Sequence, residues 1–288
     1  MLNSFLLKKG RNLCNYINIL CVWLICFPLF YPLIIQAQTD RAGMFTNLTF
    51  TGSGGQGIGG YDQIGAVELI SFFPTTSSNL YPFIEANIHS LKKRREWATN
   101  VGAGIRYIPN GDRIWGANVY YDTRSFHYFQ QLGVGLEMLS PAFDIRLNGY
   151  FPVVNKKYRG HAYIYRYPGG FVGICHEKRE ALAGGDFEIG KKFLTSPVRC
   201  DVAAGLYYYH QKCGGHSITG GKARILFNYL NYMSVEVQGA YDSVFRSTCQ
   251  ALFMFTVPFG QPSLVYQPIK RQGIIMKGKK YCSWKVNW

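Results

Sequence analysis

Beyond Ala37 this sequence has no long apolar run. A membrane helix needs roughly 18–20 apolar residues, so none is expected after that point. Acidic residues are scarce, 16 against 31 Lys and Arg, for a formal charge of +15. Such an excess raises nucleic acid as a partner. No binding motif accompanies it and the chain carries an export segment, so no nucleic acid is expected; anionic lipid or polysaccharide suits the charge better. There is no nucleophile elbow and no other catalytic spacing, and an enzyme is not expected. Gly52-x-Gly54-x-x-Gly57 has dinucleotide-fingerprint spacing but no following helix pattern and no βαβ unit. Glycine freedom between two strands explains it better. His210, Cys213 and His216 stand three residues apart, but zinc needs four ligands or three plus water. No fourth lies nearby in sequence, so neither metal nor cofactor is expected.

What is present is aromatic and glycine-rich: 21 Tyr, 20 Phe and 32 Gly in 288 residues. Mean hydropathy is −0.05. That is too polar for a helical membrane bundle and too aromatic for an ordinary enzyme domain, while Tyr and Phe in such numbers suit interfacial girdles. The first 37 residues read as a signal peptide. Lys8, Lys9 and Arg11 precede an apolar run from about Ile17 to Ile35, broken by Pro28 and Pro32. Ala37 offers a small residue for cleavage before Gln38. The run is long for a signal peptide, so an uncleaved anchor is the alternative. The consequence either way is export.

A membrane role must then come from strands, which need only about 9–11 residues each. Arg113–Pro152 holds three of them. Trp115, Ala117, Val119 and Tyr121 alternate with Gly116, Asn118, Tyr120 and Asp122. Leu132, Val134, Leu136 and Met138 alternate with Gln131, Gly133, Gly135 and Glu137. Phe143, Ile145, Leu147 and Phe151 alternate with Asp144, Arg146, Asn148 and Tyr150. Period 2 sends one set to lipid and the other to a crowded wet lumen. By this alternation the chain has about twelve strands: 44–53, 62–73, 82–89, 97–108, 113–122, 128–139, 143–152, 183–193, 199–210, 221–229, 233–241 and 249–257. Ile70, Phe72 and Phe73 spoil the alternation of the second. Short turns, including Asn110-Gly111, alternate with mostly longer links. That parity is expected of a membrane barrel with periplasmic turns and external loops. The longest link, Val153 to Leu182, holds two short strand patterns around Pro168-Gly169-Gly170. It is either an external hairpin or two more membrane strands, making fourteen.

Three motifs carry a family resemblance. Gly116-Ala117-Asn118-Val119-Tyr120-Tyr121-Asp122, then Gln131-Leu132-Gly133-Val134-Gly135-Leu136-Glu137, then Asn148-Gly149-Tyr150-Phe151-Pro152 resemble the translocator barrel of inverse autotransporters, the intimin/invasin family. Gln131 stands where that family usually has a basic residue, and Met138-Leu139 replace its usual aromatic. The motif residues are Gly116, Asn118, Tyr121, Asp122, Leu132, Gly133, Gly135, Glu137, Asn148, Gly149 and Tyr150. The resemblance implies an all-β, antiparallel transmembrane barrel in the cell outer membrane, folded with the barrel-assembly machinery. It implies surface display and host-cell attachment, with outer-membrane lipid and a host surface receptor or envelope protein as partners. A stand-alone porin-like channel and a cysteine-cross-linked envelope protein are the alternatives.

The expected organisation is therefore a signal peptide over 1–37, a barrel over 38–260 and a basic tail over 261–288. No passenger domain is apparent after the barrel. Cys175, Cys200, Cys213, Cys249 and Cys282 remain after cleavage, and their odd number leaves at least one thiol outside an intrachain disulfide. The tail has Lys270, Arg271, Lys277, Lys279, Lys280 and Lys285 and no acidic residue. It either threads the lumen, pairing with Glu137, Asp144, Asp186, Glu188 and Glu236, or lies unfolded in the periplasm. Basic ends without a hydrophobic pattern are commonly unfolded, which favours the second.

Overall fold

The computed structural model describes residues 45–73, 79–92, 96–109, 113–124, 129–154, 158–166, 172–195, 198–211, 217–230, 232–260, 267–278 and 281–287. The expected signal segment, with Ala37 and Gln38, lies outside the described residues, as do Asn110-Gly111, Cys213 and His216.

Twelve antiparallel strands close into a barrel. In chain order they are β1 (Phe45–Gly55), β2 (Gln63–Phe72), β3 (Leu80–Leu91), β4 (Glu96–Tyr107), β5 (Ile114–Arg124), β6 (Phe129–Leu139) and β7 (Phe143–Val154), then β10 (Ala183–Thr195), β11 (Val198–His210), β12 (Ser217–Tyr229), β13 (Met233–Asp242) and β14 (Arg246–Phe259). Each pairs with the next, β7 pairs with β10, and β1 closes on β14 from Thr46↔Phe259 to Gly55↔Gln250. Closure removes the sheet edges that lipid could not satisfy. The two strands between β7 and β10, β8 (Tyr158–Arg166) and β9 (Val172–Arg179), are not in the wall. They form a separate three-stranded sheet with β15 (Tyr281–Asn287), in the order β15-β9-β8. The barrel is thus twelve-stranded, and the long link is a hairpin outside it.

Side-chain parity follows the alternation in sequence. Val119, Val134, Leu136 and Leu147 are exposed on the outer face, while Asp122, Gln131, Glu137, Arg146 and Asn148 are buried in the lumen. The irregular second strand has a lumenal cause. Ile70 and Phe72 do face inward, where they pack with Phe45, Phe83, Tyr120 and Ile269. Val67 and Leu69 face out. An apolar patch on the inner wall, not a broken strand, spoils the pattern.

The expected separation of loop lengths is weaker than the sequence suggests. On one rim the connections are 73–79, 108–113, 140–142, 196–197 and 230–232; on the other they are 56–62, 92–95, 125–128, 155–182, 211–216 and 243–245. Outside 155–182 the rims differ little, because several long links by sequence are strand in the structure. We refer to the short-turn rim and, for the side bearing the hairpin, the long-loop rim. Between β1 and β2 the Gly-rich link turns with Gly55, Gly59 and Gly60 at positive φ. Strand-to-strand reversal therefore accounts for its glycines.

Candidate functional site: a lumenal cradle for the tail

The tail enters the lumen. Having left β14 at the short-turn rim, the chain passes Gln267 beside Arg106, whose Nη1 donates to the Gln267 carbonyl over 2.8 Å. Lys192 Nζ donates to the Gln267 side-chain carbonyl over 2.7 Å. Ten residues later Lys277 Nζ reaches Glu96 Oε2 at 2.6 Å, at the long-loop end of the wall. The tail therefore crosses the barrel from one rim to the other, and the expectation of an unfolded periplasmic tail is corrected.

Two kinds of contact hold it. The first is apolar. Each of the four buried apolar clusters contains a tail residue: Ile269 with Phe72 and Phe83, Ile274 with Tyr61 and Leu91, Ile275 with Phe129, and Met276 with Leu182 and Tyr209. Full burial of such a side chain stabilises by about 1.5–3 kcal/mol. The tail is the core of this lumen as much as its filling. Its apolar signal, Ile269 and Ile274-Ile275-Met276, is present in the sequence but outweighed by the surrounding cations.

The second is polar and centres on Arg271. Its Nη1 donates to Asp122 Oδ1 over 3.0 Å, and its Nη2 to Asp122 Oδ2. The guanidinium carbon lies 4.1 Å from the Tyr120 ring centre and 5.9 Å from that of Tyr150. A planar cation beside two aromatic rings and forked onto one carboxylate combines cation–π attraction with a strong, geometry-specific ion pair. Asp122 is itself positioned by Asn100, whose Nδ2 donates over 2.7 Å, and by Gln131, whose Nε2 donates over 3.2 Å. The neutral Gln131 leaves Asp122 a charge for the tail to meet. On either side Lys270 Nζ donates to Glu236 Oε2 over 2.6 Å, and the Gln272 amide donates to Tyr150 Oη over 2.7 Å. The wall also reads the tail backbone. Asn148, Asn100 and Arg124 donate to the carbonyls of Lys270, Gly273 and Ile275.

The sequence motifs converge here, though not every motif residue does. Asp122, Asn148 and Tyr150 touch the tail directly. Gly133 makes room for it: a Cβ there would sit 2.6 Å from Arg271 Nη2. Glu137 holds Arg106 at 2.7 Å, and Gly116 leaves space for Glu137, whose Cγ would lie 2.5 Å from an added Cβ. Gly135 packs against the amides of Asn118 and Asn148. Tyr121, Leu132 and Gly149 lie on the outward parity; Tyr121 is 41% exposed and Leu132 likewise. The lumenal tyrosine of that motif is Tyr120, which donates to Glu85 Oε2 over 2.6 Å.

Of the five carboxylates expected to meet the tail, only Glu236 does so through an ion pair among the described residues. The other four are neutralised by the wall: Glu137 by Arg106, Asp144 by Arg146 and Lys192, Asp186 by Lys222, and Glu188 by Arg224. Asp122 and Glu96 take their place. His210 bonds Ser217 Oγ at 3.2 Å, and no His, Cys, Asp or Glu group suited to a metal occurs among the described residues. Cys200 and Cys249 are free thiols.

Residues 66–171 match the family described as inverse autotransporter, beta-domain. Among solved structures, a membrane protein from a study of in-meso crystallization superposes with a TM-score of 0.57 at 14% identity, covering 84% of this chain and all of that one. An outer membrane channel from Pseudomonas putida F1 gives 0.49 at 11% identity, covering 77% of this chain and 98% of that one. The translocator domain of the autotransporter NalP from Neisseria meningitidis gives 0.35 at 10%, covering 85% and 98%. No curated protein matches the sequence. This chain is a twelve-stranded antiparallel β-barrel of the outer membrane, and its residues 66–171 are similar to the inverse autotransporter β-domain.

Proposed function

We propose that the barrel is an anchor that holds its own C-terminal segment across the outer membrane and presents the end of that segment at the cell surface. The observation that carries this reading is the passage of residues 267–277 through the lumen, fixed by Asp122, Glu236 and Glu96. A tail that merely blocked a pore would need no sequence of specific contacts from rim to rim. In this reading the short-turn rim is periplasmic and the long-loop rim external. The resemblance to the intimin/invasin family extends the proposal to attachment, with a host surface receptor as the partner of the displayed segment.

Two epitope tags test the anchor and its orientation, one appended after Trp288 and one inserted at Asn110-Gly111. On intact cells the terminal tag should bind antibody and the Asn110 tag should not. A terminal tag that becomes accessible only after the outer membrane is permeabilised overturns the proposal.

A further inference from the structure

The tail does not leave the lumen freely. The Leu182 amide donates to the Met276 carbonyl over 3.1 Å, Ala181 bridges Lys277, and the Gly278 amide donates to the Glu180 carbonyl over 3.0 Å. The same antiparallel course then continues with a one-residue advance in register. Tyr281 lies opposite Lys178, Cys282 opposite Glu177, and so on to Asn287 opposite Val172. A single strip, Val172–Leu182, thus accompanies the tail from the lumen mouth outward. The strip is rooted in the wall, because β10 begins at Ala183. Its opposite edge is occupied by β8, paired from Tyr158↔Arg179 to Arg166↔Val172 with a register shift between Arg159 and Ala162. That leaves one strand edge, and the tail is laid along it.

The contacts inside and outside the lumen differ in kind. Within it, Lys270, Arg271 and Gln272 are each recognised through side chains. Along the strip, recognition is a main-chain ladder. Main-chain pairing gives affinity without regard to sequence, as in peptides that add a strand to a sheet edge.

Resting on the reading that the tail is threaded outward, we infer that Val172–Leu182 is an exit rail: a strand-acceptor site for extended polypeptide of many sequences. It catches the chain emerging from the lumen and zips it outward residue by residue. Each new pair adds to a ladder that resists sliding back, so the rail makes export directional. The same hairpin explains why a long excursion interrupts the wall between β7 and β10. A β-hairpin needs a third strand or other packing to be independently stable, and the exported chain supplies it.

The test uses the full chain with Glu177→Cys opposite Cys282, the other cysteines replaced by serine, and the epitope tag after Trp288. Mild oxidation should cross-link 177 to 282 in most molecules. Replacing residues 283–287 by an unrelated strand-forming sequence should leave that cross-link within about twofold. Paired substitutions Ser283→Pro and Trp284→Pro, which remove one ladder donor whichever parity faces β9, should reduce it at least tenfold. A cross-link lost on the sequence exchange, or kept in the proline variant, overturns the rail. The tag separates the two proposals. A surface-exposed tag without the cross-link refutes the rail alone, whereas a tag absent from the surface refutes the threading on which it rests.

Discussion

At the scale of single residues, Arg271 and Asp122 decide whether the tail stays. Both side chains are nearly or wholly buried, and removing one partner of a buried pair typically costs about 3–5 kcal/mol, since the other charge is left uncompensated. Asn100 and Gln131 still donate to Asp122, which places Arg271→Ala at the lower end. Arg271→Lys keeps the charge but loses the fork and the stacking on Tyr120, so it should fall between. A thiol introduced by Ile274→Cys, at a position 2% exposed, reports docking by its rate of alkylation. It should react on the order of a hundredfold faster in Arg271→Ala than with Arg271 intact, in line with the cost of the broken pair. Equal rates would show that the pair does not hold the tail. Asp122 was legible as a motif residue. Its role was not, because which carboxylates are free for the tail depends on cross-strand neighbours. Glu137, Asp144, Asp186 and Glu188 look equally available until register places Arg106, Arg146, Lys222 and Arg224 beside them.

At the scale of elements, alternation carried most of the information. All twelve wall strands were readable, since one face meets hydrocarbon and the other water. Strand ends were less so: β7, β10 and β11 run beyond their apolar patterns, because ladder pairing continues where the membrane stops. Val134 tests the lipid face. It is 45% exposed in the middle of β6, opposite Val119 on one side and Gly149 on the other. Val134→Arg should destabilise the barrel by about 2–4 kcal/mol, read as a lower urea midpoint for loss of heat-modifiable mobility. A lumenal Gly135→Ser is expected from parity alone to matter less. The structure revises that expectation, because a Cβ at 135 would run into the side-chain oxygens of both Asn118 and Asn148. Both variants should lower the midpoint, the first through the barrel wall and the second with earlier release of the tail. A Val134→Arg barrel as stable as the parent would reverse the face assignment.

At the scale of the whole molecule, the lumen and the tail are complementary in charge, and this sets what the barrel does without its tail. Wall cations are largely committed to wall carboxylates. Lys270 and Arg271 neutralise Glu236 and Asp122, and Lys277 shares Glu96 with the wall's Arg124, while Glu68 and Glu85 accept hydrogen bonds from the neutral groups of Asn87 and Tyr120. Ending the chain after Gly260 removes the three cations and the four apolar side chains that occupy the lumenal clusters. It leaves a wet passage lined by a surplus of carboxylates. Within a confined, low-dielectric wall such a surplus concentrates counter-ions of the opposite sign. In planar bilayers the full chain should therefore show small, rare conductance. The truncated chain should show conductance larger by roughly tenfold or more, with cation selectivity that weakens as salt rises and the Debye length falls from about 10 Å at 0.1 M to 3 Å at 1 M. Reversal potentials across a salt gradient give the sign. An anion-selective truncated barrel would mean that the wall cations, not the carboxylates released by Lys270, Arg271 and Lys277, govern the field in the lumen.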